Sequence, residues 1–286
     1  MSAPLKIAVP NKGRLSEQAL ELLSKAGLHV PLHARSLLAD VNGQWRLLFV
    51  RTQDIPEYVA TGSADAGITG LDLVAEHGAS VETLLKMGFG RCRLVLAVPR
   101  LSQIKQLSQL QGQRIATVFP NLTARFFKER SVNVAVIPLS GATEVAPHVG
   151  VAEAIVDLVE TGSTLQQNGL VELETMLQSE AVLIANNLSL HTQKALLDEL
   201  QAALKSVLDA KARRYLMVNV PRSQLESVKA LLPGVTAPTV MNLLGREDWV
   251  ALHAVVHESE VNRLIPALKR CGVEGLLILP IERMVS

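Results

Sequence analysis

The chain has 286 residues, more than one domain of about 100 to 200 residues holds, so two units or more are expected. With 48% apolar and 19% charged residues and a formal net charge of +1, it has the make-up of a globular protein, which excludes a disordered chain. Aromatics at 3% and the lack of any basic tail or run give nucleic-acid binding no support.

No apolar run reaches the roughly 18 residues needed to span a bilayer, so no membrane partner is expected. The start, MSAPLKIAVP, reads as a first strand rather than a signal peptide. Cys92 and Cys271 lack metal-ligand spacing and read as free thiols of a reducing compartment, and a cytoplasmic location is expected.

In chain order, LKIAVP (5–10) is a strand and SEQALELLSKAG (16–27) a helix. Leu15, Ala19, Leu22, Leu23 and Ala26 share one face of that helix, with Ser16 as N-cap and Gly27 as stop. Strands follow at WRLLFVRT (45–52), DAGITG (65–70) and RLVLAVP (93–99). The alternation continues through RIATVF (114–119), a helix in NLTARFFKER, VAVIPL (134–139), a short helix near TEVAPHVG and AIVDLVE (154–160). VELETMLQ and AVLIAN read as strands, and a long connector helix is expected from about Ser189 to Arg213. This is an α/β pattern. The remainder, YLMVNVP, SQLESVKALLPG, TVMNLLG, WVALHAVVHES, EVNRLIPALKRCG and EGLLILPIERM, runs β, α, β, β, α, β, the ferredoxin-like order of a separate small domain.

Three constellations can carry chemistry. In EAIVDLVETGSTLQQNGL, Glu153 and Asp157 are four apart and on a strand point to the same side. Thr161, Gly162, Ser163 and Thr164 then form a hydroxyl-rich strand-to-helix junction suited to a phosphate. Carboxylates beside a phosphate cradle suit a ribose 5-phosphate, its hydroxyls or a Mg²⁺; the alternative is an ordinary turn in which Thr161 or Ser163 caps the next helix. Asp157 lies between Val156 and Leu158, where an acid needs a partner or a ligand.

The second is PNKGRL (10–15), which puts Lys12, Gly13 and Arg14 just beyond the first strand, where polyphosphates bind in open α/β sheets; a solvated basic turn is the bland reading. Arg51 is a comparable ligand contact, or else an ion-pair partner of Asp54. The third is DAGITGLD, where Gly67, Gly70 and Asp72 suit close approach to a ligand or a tight βα turn capped by Asp72. His253 and His257 share a strand face, but two histidines without a third ligand do not make a zinc site.

PNKGRL, DAGITGLD, GRCRLVLAVP, RIATVFPNLT, SGATEVAPHVGVAEAIVDLVETGSTLQQNGL and LLILPIERM, in this order over nearly the whole chain, resemble the long form of the ATP phosphoribosyltransferase family, which opens histidine biosynthesis. The resemblance implies a two-lobed periplasmic-binding-protein-like catalytic core and a C-terminal ferredoxin-like regulatory domain that binds histidine as feedback inhibitor. On that basis residues 1–95 and 178–213 form the first lobe with the connector helix, 96–177 the second lobe with the phosphoribosyl pyrophosphate loop, and 214–286 the regulatory domain.

The implied reaction is attack of N1 of ATP on C1 of phosphoribosyl pyrophosphate with inversion, through an oxocarbenium-like transition state assisted by Mg²⁺. It needs no covalent nucleophile, and no G-x-S-x-G motif is present. Carried over by position, Thr161 to Leu165 hold the sugar 5-phosphate, and Asp157 with Glu153 lies near the ribose hydroxyls. Lys12, Arg14 and Arg51 face the pyrophosphate or the ATP phosphates, while Gly70 and Asp72 lie on the nucleotide side. Mg²⁺ is held by the substrate rather than a dedicated protein site, with Glu153 or Asp157 as its protein contact. Thr239 and its neighbours are the expected regulatory contact, and a homo-oligomer of dimers and hexamers is implied.

The commoner phosphoribosyltransferases carry adjacent acids before T-G-x-T, and Val156 replaces the first of that pair, which favours the two-lobed fold. The competing readings are a solute-binding module without catalysis and a phosphoribosyltransferase with another base as acceptor.

Overall fold

The computed structural model describes residues 3–29, 37–232 and 238–285; Pro233 and Gly234, read from the sequence as ending a helix, lie outside them. LKIAVP is apolar toward both faces and forms β1 (Leu5–Pro10), in which Leu5, Ile7, Ala8 and Val9 have no exposed surface. Then come α1 (Ser16–Lys25), β2 (Leu38–Val41), β3 (Trp45–Val50), α2 (Ile55–Ala60), β4 (Ala66–Gly70), α3 (Leu71–His77) and β5 (Val81–Lys86). Helix α1 buries Ala19, Leu22 and Leu23 as its periodicity requires, and it closes where Leu28 N–H returns to the Leu23 carbonyl at 2.9 Å. Ser16 is not the acceptor cap expected of it. Its buried hydroxyl donates to the Pro10 carbonyl at 2.9 Å and ties the start of α1 to the end of β1.

From Met87 the chain passes into a second sheet, made of β6 (Cys92–Pro99), β7 (Arg114–Thr117), α4 (Pro120–Glu129), β8 (Ala135–Pro138), β9 (Ala154–Val159), α5 (Ser163–Gln167) and β10 (Leu170–Ser179). Its order is β10-β6-β9-β7-β8, with β8, β7 and β9 mutually parallel. One face packs Leu94, Leu96, Ile115 and Val156 against Phe126 and Phe127 of α4; the other packs Val95, Ile155 and Val159 against Leu165. At Glu180 the chain returns as β11 (Ala181–Asn186), which inserts between β4 and β5 and completes the first sheet in the order β2-β3-β1-β4-β11-β5.

The lobe boundaries expected at 95/96 and 177/178 fall inside β6 and β10. Those strands pair with each other from Cys92 to Ser179 and from Pro99 to Leu170, so neither can be divided between sheets. The crossings are residues 87–91 and Glu180. The single helix expected over 189–213 is also two, α6 (Ser189–Thr192) and α7 (Lys194–Lys211), because Gln193 at φ −124°, ψ 22° leaves the helical region.

The chain divides into two compact units, one of Leu28–Gln201 with the residues up to Ser24, the other from Ala202 on with Lys25–Gly27. The second unit contains β12 (Arg213–Pro221), α8 (Leu225–Leu231), β13 (Thr239–Leu243), β14 (Arg246–His257), α9 (Val261–Arg270) and β15 (Glu274–Pro280). Its sheet is antiparallel throughout, β13-β14-β12-β15. Leu216, Val218 and Val220 alternate with half-exposed Tyr215, Met217 and Asn219, and the buried set packs on Val228, Leu264 and Leu268. This is the βαββαβ arrangement read from the sequence.

Candidate active site

In the first sheet β3, β1 and β4 lie side by side and parallel, so their C-terminal ends share one edge. β3 delivers Arg51 to that edge, β1 delivers Lys12, Gly13 and Arg14, and β4 delivers Gly70 and Asp72. Ligands of open α/β sheets gather at such an edge. Lys12 and Arg51 are exposed, and neither has an ion-pair partner among the described residues. The alternative pairing of Arg51 with Asp54 reduces to a backbone bond, Asp54 N–H to the Arg51 carbonyl at 2.9 Å.

Asp72 does not cap α3. Gly70 holds that position without a side-chain bond, and the Asp72 carboxylate is buried, accepting the Ser179 hydroxyl at 2.5 Å while its own N–H donates to Ser179 Oγ at 2.9 Å. A Cβ on Gly70 would clash with Asp72 Oδ1, which explains a glycine there.

In the second sheet the parallel strand β9 delivers Glu160 and the loop Thr161–Leu165 at its own C-terminal end. Gly162 adopts φ 85°, a left-handed conformation that lets the loop turn sharply into α5. The Thr161 and Ser163 hydroxyls lie 3.0 Å apart and, with Thr164, are exposed; Leu165 is buried and anchors the loop. Asp157 lies on the same face of β9 as Ile155 and Val159, the face that Leu165 covers. It accepts the Thr143 hydroxyl at one oxygen and the Leu158 N–H at the other, the latter at 2.7 Å. Burial pushes its carboxyl above the usual carboxylate range, and those two hydrogen bonds only partly offset the effect.

Glu153 is a correction. It keeps the face of Asp157, but it precedes β9, about 13 Å away at strand rise, at the edge opposite the Thr161 loop. There it pairs with Arg114, Nη2 to Oε1 at 2.5 Å, and this partner holds its carboxyl below the ordinary range. It is not placed to meet ribose hydroxyls.

The two edges meet. Arg14 Nη1 lies 3.2 Å from Glu160 Oε1, and Arg14 Nη2 lies 3.3 Å from the Sγ of Cys92, whose thiol burial pushes up. Beside this contact a cavity of about 430 Å³ is lined by Leu71, Lys86, Arg91, Cys92, Glu160 and Ser179 among others. Sequence reasoning missed Ser179, Glu160, Lys86 and Arg91. Ser179 and Lys86 reach the edge through strand pairing, whereas Glu160 and Arg91 sit within AIVDLVE and GRCRLVLAVP, directly after β9 and directly before β6, where no residue type of theirs marked a ligand contact.

The donor set also bears on Mg²⁺. Among the described residues no group of three or more His, Cys, Asp or Glu side chains gathers as a metal site. Mg²⁺ characteristically keeps several waters and takes one or two carboxylates plus substrate phosphates. Asp157 and Glu160 fit that limited part, and Glu153 does not.

A family model described as ATP phosphoribosyltransferase matches residues 51–206, and one described as HisG, C-terminal domain, matches residues 210–283. The ATP phosphoribosyltransferase of Gemmatimonas aurantiaca is 48% identical over 290 residues, covering 98% of this chain and 99% of the relative. That of Methanosarcina barkeri is 47% identical over 288 residues, with 98% and 99% covered. The solved ATP phosphoribosyl transferase (HisG:HisZ) complex from Thermotoga maritima is 32% identical with a TM-score of 0.65, covering 72% of this chain and 98% of that one. A structure of Tv2483 bound to L-arginine is alike in fold alone, 14% identical with a TM-score of 0.50, covering 72% of this chain and 86% of that one. The two-lobed periplasmic-binding-protein-like core and the C-terminal domain expected from the sequence are therefore both present. The chain belongs to the ATP phosphoribosyltransferase family, the enzymes of the first step of histidine biosynthesis.

Proposed function

We propose that the loop Thr161–Leu165 holds the 5-phosphate of phosphoribosyl pyrophosphate, that Asp157 holds its ribose hydroxyls, and that Lys12, Arg14 and Arg51 face its pyrophosphate. N1 of ATP then forms a bond to C1 as the bond to pyrophosphate breaks and its electron pair leaves with that group. The observation that carries the proposal is the 3.2 Å contact of Arg14 with Glu160, which sets a cation of one strand edge against the neck of the hydroxyl-rich loop on the other.

Holding both reactants in line removes much of the entropic barrier, and preorganised cations stabilise the charge that develops on the leaving group. Exposed Lys12 and Arg51 supply charge without first breaking an ion pair among the described residues. Arg14 must exchange Glu160 for phosphate, an exchange of like for like. Gly13 at φ 88° keeps the backbone open beside them. Mg²⁺, with Asp157 or Glu160 as its protein contact, supplies Lewis-acid neutralisation of the departing pyrophosphate when bound.

The acceptor is tested by pyrophosphate release from phosphoribosyl pyrophosphate with ATP, GTP and free bases in turn. Release with ATP alone is the expected result, and release with a free base but not with ATP would remove the proposal.

Regulation belongs to the same proposal. Histidine binds the second unit near Thr239, which is exposed on the edge strand β13 and lies in register with His253, whose Nδ1 is 2.8 Å from the Tyr215 hydroxyl. Met241 on β13 and Leu277 and Leu279 on β15 are exposed apolar side chains on the two outer strands of the sheet, which supports assembly into dimers and hexamers. Among the described residues no helix is long and apolar enough to cross a membrane, and a cytoplasmic location completes the proposal.

A further inference from the structure

The edge that carries Lys12, Arg14 and Arg51 continues past β4. β11 runs antiparallel to β4 with Ala181 opposite Gly70, and β5 runs antiparallel to β11 with Lys86 opposite Val182. The C-terminal end of β5 therefore lies on the same edge, and Lys86 stands about 14 Å from β1 across three strand spacings. Arg91 follows at the lobe crossing. Both line the 430 Å³ cavity, a volume suited to part of a small-molecule ligand.

The charges of this cavity are mostly engaged. Glu160 is paired with Arg14, and Glu180 Oε2 accepts the Gly88 N–H at 3.0 Å. Arg93 is held by Glu172 at 2.5 Å and by the Thr175 hydroxyl at 2.9 Å. Lys86 and Arg91 are exposed and have no ion-pair partner among the described residues. The wall thus presents two cations without ion-pair partners among the described residues, beside the Glu180 carboxylate and about 14 Å across the sheet from the strand that leads to Lys12. Two separate basic clusters on one edge call for two polyanions.

We infer that Lys86 and Arg91 receive the triphosphate tail of ATP, leaving Lys12, Arg14 and Arg51 to the pyrophosphate of the donor. This rests on the proposed placement of the donor at Thr161–Leu165, and it assigns phosphates that the sequence leaves shared between two substrates. Recognition is of charge along the tail, so ATP binds more tightly than AMP, which shares its adenosine but ends at one phosphate.

The test uses the full chain with Lys86→Met, Arg91→Gln and the double variant, all at exposed positions that leave the core intact. Affinities for ATP, AMP and phosphoribosyl pyrophosphate are measured by calorimetry in the presence of Mg²⁺. Each single change is expected to weaken ATP about tenfold, the scale of one charge-assisted contact, while AMP and the donor stay within about twofold. Unchanged ATP affinity, or equal weakening of ATP and AMP, overturns the inference while donor binding stands. Weakening of the donor instead of ATP overturns the division of the two clusters. Failure of the donor to bind the unaltered protein overturns the underlying site reading, and this inference with it.

Discussion

Ser179 Oγ donates to the Asp72 carboxylate at 2.5 Å, and the bond joins the last residue of the second sheet to the first turn of α3 in the first lobe. Both residues are buried, so the carboxylate has exchanged water for this hydroxyl. Ser179→Ala leaves it without that donor, a cost of about 1 to 3 kcal/mol. Thermal unfolding should move down by several degrees, at about 2 to 4 °C per kcal/mol for a chain of this size. An unchanged midpoint would show that the bond contributes nothing.

Gly70 explains itself by the same carboxylate. Gly70→Ala places a methyl against Asp72 Oδ1, so either Asp72 leaves Ser179 or the first turn of α3 shifts. Loss of about 1 to 3 kcal/mol is expected from overpacking, with a raised KM for ATP if the nucleotide lies on this side. Denaturant midpoints and steady-state kinetics check the two effects separately.

Asp157 predicts a pH signature. Its folded-state carboxyl titrates above the ordinary 3.8 because burial disfavours the charge. In that window the native state holds more protons than the unfolded chain, so stability falls as pH rises from about 4 through the raised value. Donor binding should follow the opposite course, improving over the same window as the carboxylate forms. Asp157→Asn should remove both slopes and lower kcat/KM by at least about a hundredfold; a mutant with wild-type turnover would remove Asp157 from the site.

Glu153 should be dispensable for chemistry. Glu153→Gln breaks a half-exposed pair with Arg114 at the far end of β9, so a stability loss under about 1 kcal/mol and turnover within about twofold of wild type are expected. A large loss of turnover, measured by pyrophosphate release, would restore it to the ribose side.

The strands and the terminal domain were readable because burial writes itself into local pattern. Leu216, Val218 and Val220 alternate with half-exposed neighbours, and β1 is apolar and buried at every position but Lys6. β2 and β5 went unread because Leu38 is exposed and Glu82, Thr83 and Lys86 interrupt the apolar pattern. The break at Gln193 escaped for want of a Gly or Pro to mark it. The site divides the same way. Lys12, Gly162 and Asp157 stand out by residue type and position, whereas Arg14 with Glu160, and Asp72 with Ser179, are brought together from 146 and 107 residues apart. Glu153 misled because side-chain parity gives a face and says nothing of which strand end a residue occupies.

Deleting the second unit tests regulation. A chain ending near Gln201 should retain donor binding by its own lobes and lose inhibition by histidine, measured on pyrophosphate release. Inhibition that persists at similar histidine concentrations would place the effector site in the first unit.

The most direct measurement of the whole account is calorimetric titration of phosphoribosyl pyrophosphate with Mg²⁺, followed by amide exchange of the complex. Binding should protect residues 161–165 in the wild type and be lost or greatly weakened in Asp157→Ala. Binding without protection of that loop, or no binding at all, would contradict it.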